Sequence, residues 1–335
     1  MPVQKANVMG ATVKHCKKQD GFALVLTLVF LSIFLVASLG VSFISHVQTR
    51  TSIYIEDKAR AYFLAREGLV RAVKELSQLW AKRQQHNFGG GGGVWKSWSS
   101  PEGHGLYLIQ NERGKLNLNT ATSKQITDVL SGVGIDSSKA GVIRDSILDW
   151  IDGDSSHRTS GAENDFYQQF FYEPRNAPFK HLGELALIRG VNPQLLWGDW
   201  VSNGEPAGPA LWGLFTMYEE GKRIEVNSAS AAVLSALPGL SQGVIDQLIK
   251  SRKSRLLTRD KLRMIMGDQL FHQIEPYVTT TPSRFYTIVS KAVTKGDKSR
   301  HSLLAVVEVL PGGGVQHHYW LDDLWCGTTN ENNQT

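Results

Sequence analysis

Acidic residues crowd into one stretch, RDSILDWIDGDSSHRTSGAENDF, running from Arg144 to Phe166. Asp145, Asp149 and Asp152 stand at i, i+4 and i+7, which places them on one face of a helix. They fall toward its C-terminal end, where the helix dipole disfavours anions. Asp154 follows at once, and Glu163 and Asp165 come next in a segment containing Gly and Ser. Carboxylates this close repel unless something offsets them, and a hard cation is the simplest offset. Ca²⁺ takes six to eight oxygens from a flexible loop. With Asp152 as position 1 of an EF-hand loop, Asp154 is 3, Ser156 is 5, Arg158 is 7, Ser160 is 9 and Glu163 is 12. His157 stands where that loop needs its turn glycine, so the ligand types fit and the standard motif does not. The competing reading is a solvated acidic loop paired with Arg144, Arg158 or Arg175. Zinc is not suggested. Cys16 and Cys326 sit at opposite ends of the chain and the histidines are scattered. Nothing supplies a nucleophile with a positioned base, so no enzyme is expected.

The elements around this stretch are legible in outline. With 335 residues, 41% hydrophobic and 20% charged, the chain is globular and large enough for two or three domains. A net charge of +5 leaves nucleic acid open without arguing for it. Five glycines, Gly89 to Gly93, break the chain. Alternation in GLYLIQNERGKLNLN, from Gly105 to Asn119, predicts a strand or hairpin. Helical signals run from Thr122 to about Tyr277, and strand character returns at Ser283–Lys295 and Ser302–Asp323. That order predicts an α+β fold, a small antiparallel sheet with a large α-helical insertion.

An internal echo lies inside the insertion. GKLNLNTATSKQITDVLSGVGI, from Gly114, resembles GKRIEVNSASAAVLSALPGLS, from Gly221. Each passes through an N-cap signal into a short helix and a Gly turn, so each reads as a helix-hairpin-helix-like unit. Such units can present turn amides to a phosphate, and Lys250, Arg252, Lys253, Arg255, Arg259, Lys261 and Arg263 follow the second one. The alternative is a hairpin that serves packing alone.

At the N-terminus, Phe22 opens an uncharged run to about Ser45, long enough to cross a bilayer as a helix. Lys5, Lys14, Lys17 and Lys18 precede it, which predicts a cytoplasmic N-terminus and an exported remainder. A simple anchor and a cleaved signal with Ala37 and Ser38 at its site are the other readings. Beyond the run, Ala61, Leu64, Ala65, Gly68, Leu69, Ala72, Leu76 and Leu79 keep helical spacing, as in any amphipathic stalk.

Lys17, Lys18, Gly21 and Phe22 resemble the leader of type IV pilins and pseudopilins. That resemblance implies cleavage by a prepilin peptidase between Gly21 and Phe22 and methylation of Phe22. Most of that family carry Glu at the fifth mature position; Leu26 stands there. The stretches GKLNLNTAT, LDWIDGD, GAENDFY, NAPFKHLGELALIRGV and EVNSASAAVLSALPGLS occur in order. Together with the leader, they make the chain similar to the K-type minor pseudopilins of the type II secretion system. The resemblance implies a pilin-like fold in which a helical domain interrupts the sheet. It implies calcium at Asp152, Asp154, Glu163 and Asp165. It also implies assembly with the I and J types at the tip of a periplasmic pseudopilus, where a subunit without the fifth-position Glu needs no neighbour above it. The organisation so expected is a leader over 1–21, a transmembrane half-helix over 22–46 in the bacterial inner membrane, and a periplasmic half over 47–86. Sheet follows at 104–120 and 283–325, insertion at 121–282 and a polar tail at 326–335. The runner-up function is a membrane-tethered helix-hairpin-helix protein that captures DNA for a competence-like pilus; under the favoured reading no nucleic acid is bound.

Overall fold

The structure, a computed structural model, describes residues 20–82, 93–200, 206–207, 210–219, 221–296 and 298–322. Most of the expected leader, the end of the periplasmic half-helix and the polar tail lie outside the described residues. The chain divides into two compact units, Met1–Glu56 and Asp57–Thr335. Helix α1 spans Asp20–Ala81. In the first unit its apolar residues from Phe22 to Val47 are exposed, and among the described residues this is the one helix long and apolar enough to cross a membrane.

In the second unit, the remainder of α1 lies on a five-stranded antiparallel sheet. The strands are β1 (Lys96–Ser100), β2 (Gly103–Asn111), β9 (Phe285–Thr294), β10 (Arg300–Val309) and β11 (Val315–Asp322), adjacent in that order. The i, i+3, i+4 stripe of α1 fills one face. Leu64, Ala65, Leu69, Ala72 and Leu76 are buried against Ile109, Tyr286, Ile288, Ala292 and Leu303. Gly68 permits the approach, since a Cβ there would stand 2.3 Å from Ser290 Oγ and 2.7 Å from Trp98 Nε1. Ser290 Oγ donates to the Ala65 carbonyl at 2.7 Å, binding helix to strand. The opposite face, with Leu108, Val289, Leu304 and Val306, joins the core of the insertion.

The sheet expected over 104–120 is corrected at both ends. Its ladder begins earlier, at Lys96, and β2 stops at Asn111. The Asn111 side chain accepts from the backbone N–H of Arg113 and of Ser283, which turns the chain out of the sheet where the insertion also returns. After the 3₁₀ turn Glu112–Gly114, β3 (Leu116–Asn117) pairs in parallel with a distant strand inside the insertion, β6 (Phe215–Thr216). At this seam Lys115 and Glu112 form an ion pair at 2.5 Å, each side chain 1% exposed. Thr216 and Thr287 hydroxyls donate to Glu112 and complete it. Burial pulls Lys115 below its ordinary range, and Glu112 works against that pull. The seam therefore locks sheet and insertion by a satisfied buried polar network.

The insertion holds helices α2 (Ser123–Gly132), α3 (Ser137–Ile151), α4 (Asn164–Tyr167), α5 (Pro193–Trp197), α6 (Ala231–Ser235), α7 (Gln242–Ser254), α8 (Arg259–Met266) and α9 (Asp268–Ile274). Short strand pairs complete it: β3 with β6, β4 (Asp199–Trp200) with β5 (Pro206–Ala207), and β7 (Ile224–Glu225) with β8 (Val278–Thr279). The echoed segments start α2 and α6, which pack against each other. Thr122 and Gln125 make a capping box on α2, and Ser230 caps α6.

Candidate metal centre

Helix α3 carries Asp145 and Asp149 on its buried side and ends at Ile151, with Asp152 as its C-cap. The first two carboxylates anchor the following loop and are not left for a metal. Asp145 accepts from Arg144 at 2.7 Å and from Ser160 N–H at 3.2 Å. Asp149, fully buried, accepts from the Arg158 backbone N–H at 3.1 Å and from its guanidinium at 2.5 Å. Gly161 lies so close above it that a Cβ would stand 1.8 Å from Asp149 Oδ2. The loop is thus pulled down onto α3, and its later acid, Glu163, arrives beside the helix end.

Asp152, Asp154 and Glu163 each offer an oxygen within 4.8 Å of the others. Asp154 is held by an Asx turn, accepting from Ser156 N–H at 2.8 Å. The Glu163 carbonyl accepts from Phe166 and Tyr167 N–H, which fixes it at the head of α4. Its side chain is 2% exposed, yet both carboxylate oxygens are buried without a hydrogen-bond partner. Asp152 Oδ1 is buried and unpartnered as well, while its Oδ2 meets Arg158 at 2.6 Å. Burial, and then the charges of Asp149, Asp152, Asp154 and Asp165, push the Glu163 carboxyl up to about 7. Three buried acceptor oxygens with no donor, converging where negative charge is already excessive, fit a hard divalent cation that takes oxygen ligands.

Asp165 stands in the first turn of α4, is exposed and lies outside the trio. Of the arginines considered from sequence, Arg158 bridges Asp149 and Asp152, Arg144 pairs with Asp145, and Arg175 turns away to Glu184 at 3.5 Å. Sequence reasoning grouped Asp145 and Asp149 with the loop acids. Their separate role as anchors had no local signal beyond a nearby arginine and glycine.

The hairpin turns have their own occupants. The N-terminus of α3 is capped by the Asp136 carboxylate, which accepts from Lys139 N–H at 3.0 Å, and that bond first of all holds Asp136 below its ordinary value. The N-terminus of α7 is capped by Ser241. A phosphate approaching α3 would meet a carboxylate where it needs amides. In the basic run, Arg252 is buried and donates to the Val226 carbonyl, Arg259 pairs with Glu275, and Arg263 pairs with Asp268. Arg252 is thus withdrawn from the surface, and the Arg259 and Arg263 pairs lie on it, which lowers the free positive charge a duplex would meet along this run.

Known proteins fall in line with this architecture. Residues 107–197 match the family model described as type II secretion system (T2SS), protein K. A curated protein of Escherichia coli (strain K12), described as a type II secretion system protein K, is 29% identical over 204 residues, covering 53% of this chain and 60% of its own length. The fold is shared with a chain in the crystal structure of the GspK-GspI-GspJ complex from enterotoxigenic Escherichia coli, with a TM-score of 0.50 at 14% identity, across 83% of this chain and 98% of that one. Over residues 107–197 the chain is thus similar to type II secretion system protein K, and its fold is similar to that of a chain in the GspK-GspI-GspJ complex. The stretch matched to the curated relative spans 60% of that protein.

Proposed function

We propose that this chain is a non-enzymatic subunit at the tip of the type II secretion pseudopilus, supporting protein export across the outer membrane. The observation that carries the reading is the protein K match over residues 107–197, which covers the second half of β2, the Glu112–Lys115 pair and the loop with its unpartnered carboxylates. In this reading the prepilin peptidase cuts between Gly21 and Phe22, Phe22 is methylated, and α1 crosses the inner membrane once with its N-terminus cytoplasmic. The second unit works in the periplasm. Its partners are minor pseudopilins of the I and J types, by analogy with the GspK-GspI-GspJ complex that contains the structural relative. Leu26 supports an end position, because it offers no carboxylate to a neighbour's terminal amine.

Calcium belongs to the proposal as a structural ion. Asp152, Asp154 and Glu163 would hold it, with Asp165 nearby in the same acidic field. The ion supplies positive charge that lets the buried Glu163 carboxyl stay ionised. The chain's own contribution is to bring Glu163 to the end of α3 and to hold Arg158 off Asp152 Oδ1. Co-expression of the full chain with I- and J-type pseudopilins, followed by detergent extraction and co-purification, tests the function: a ternary complex is expected, and failure to retain either partner contradicts it.

A further inference from the structure

We infer that the pocket between β8, α8 and α9 receives the C-terminal residue of a partner protein, with an aliphatic side chain in the cavity and the terminal carboxylate on Arg223. The cavity holds about 140 Å³. Its floor is the edge of the insertion's core. Leu262 of α8, Phe271 of α9 and Val278 of β8 line it, at 2%, 3% and 6% exposure. The rim is charged. Arg259, first residue of α8, pairs there with Glu275, which opens the 3₁₀ turn after α9. The Arg259 guanidinium also stands over the Phe271 ring, 5.7 Å from its centroid. That pair is neutral as a whole. Arg223, the residue before β7, lines the same rim and is exposed; among the described residues it has no ion-pair or hydrogen-bond partner. The mouth of the pocket therefore carries one positive charge in excess, on a guanidinium left free.

Size and charge together select the occupant. Pockets for drug-sized ligands run to roughly 300–1,000 Å³. This cavity takes about one aliphatic side chain, so the rest of its occupant stays outside, as the body of a protein would. An apolar floor offers nothing to a phosphate or a sugar, whose burial there would go uncompensated. The guanidinium at the mouth is a planar fork that meets a carboxylate with two hydrogen bonds. Thr280 adds a hydroxyl to the same lining. A chain terminus presents a side chain and a carboxylate from one and the same carbon, which is the pairing this site asks for. Glu275, held by Arg259, repels an anion from its own side of the mouth and so directs the carboxylate to Arg223.

The test uses the full chain in dodecylmaltoside and the peptide acetyl-Gly-Ser-Gly-Leu with a free C-terminal carboxylate, observed by saturation-transfer NMR. Saturation should fall first on the Leu methyls. Amidating the terminus should weaken binding about tenfold, as for loss of one hydrogen-bonded charge pair. Arg223→Gln should weaken the free acid to the same degree, leave the amide where it was and leave the melting temperature unchanged. A merely structural arginine would not distinguish acid from amide. Equal binding of acid and amide, equal binding by wild type and Arg223→Gln, or no saturation at millimolar peptide overturns the proposal. An internal peptide, acetyl-Gly-Leu-Asp-Gly-amide, that binds as well as the free acid overturns the chain terminus. Free leucine that binds more tightly than the peptide overturns it too, by making the ligand an amino acid.

Discussion

Replacing Glu163 by Gln should stabilise the protein in chelator and deprive it of its response to calcium. Glu163 is 2% exposed, its oxygens have no donors, and its carboxyl is pushed from 4.5 up to about 7, first by burial and then by neighbouring carboxylates. The folded state therefore holds this proton more tightly than the unfolded chain. Its contribution to stability is complete below about pH 4.5 and is lost as pH rises through about 7. Fully ionised, the group costs the folded state about 3 kcal/mol. In chelator at pH 8, Glu163→Gln removes that cost and should raise the melting temperature by roughly 5–10 °C for a unit of this size. At pH 5 the gap should shrink, because the wild-type carboxyl is already largely protonated. Calcium at a hundredfold excess over its dissociation constant should stabilise the wild type by about 2.7 kcal/mol and the variant far less. The gap seen in chelator at pH 8 then closes. Melts of the full chain in detergent, followed by near-ultraviolet circular dichroism of the buried aromatic pair Trp150 and Tyr167, measure all four conditions. A variant less stable than wild type in chelator at pH 8, or a calcium response equal in both, refutes the reasoning.

Gly68→Val should cost about 1–3 kcal/mol, the range for overpacking a close contact, because its side chain would be driven into Ser290 and Trp98; an unchanged melt contradicts the docking of α1 on the sheet. Intact-mass analysis of membrane-extracted protein should find a chain that starts at a methylated Phe22 and so lacks Cys16. A chain that starts at Met1, or beyond the apolar run, contradicts the processing.

Long amphipathic periodicity was the most readable feature of the sequence. The stripe from Ala61 to Leu76 is buried as its spacing predicts, because a helix face repeated over several turns has one way to hide. Strands of ten residues, β9 and β10, were legible for the same reason. β1 was not: KSWSS has one buried residue, Trp98, and its pairing with β2 is set by a turn at Pro101–Glu102 and not by its own pattern. The alternation through Leu116 and Leu118 looked like more of the same sheet, yet both are buried where β3 pairs in parallel with a strand about a hundred residues later. At the candidate metal centre, the set expected from sequence was Asp152, Asp154, Glu163 and Asp165; the structure gathers the first three, and Asp165 lies outside the trio. The division of labour with Asp145 and Asp149 was invisible, since it depends on Arg158 and Gly161 folding back onto α3.

The central claim is that this subunit ends the pseudopilus. Pseudopili sheared from cells and labelled with immunogold against the unit from Asp57 onward should carry gold at one end only, in a few copies. Label spaced along the shaft would contradict the account.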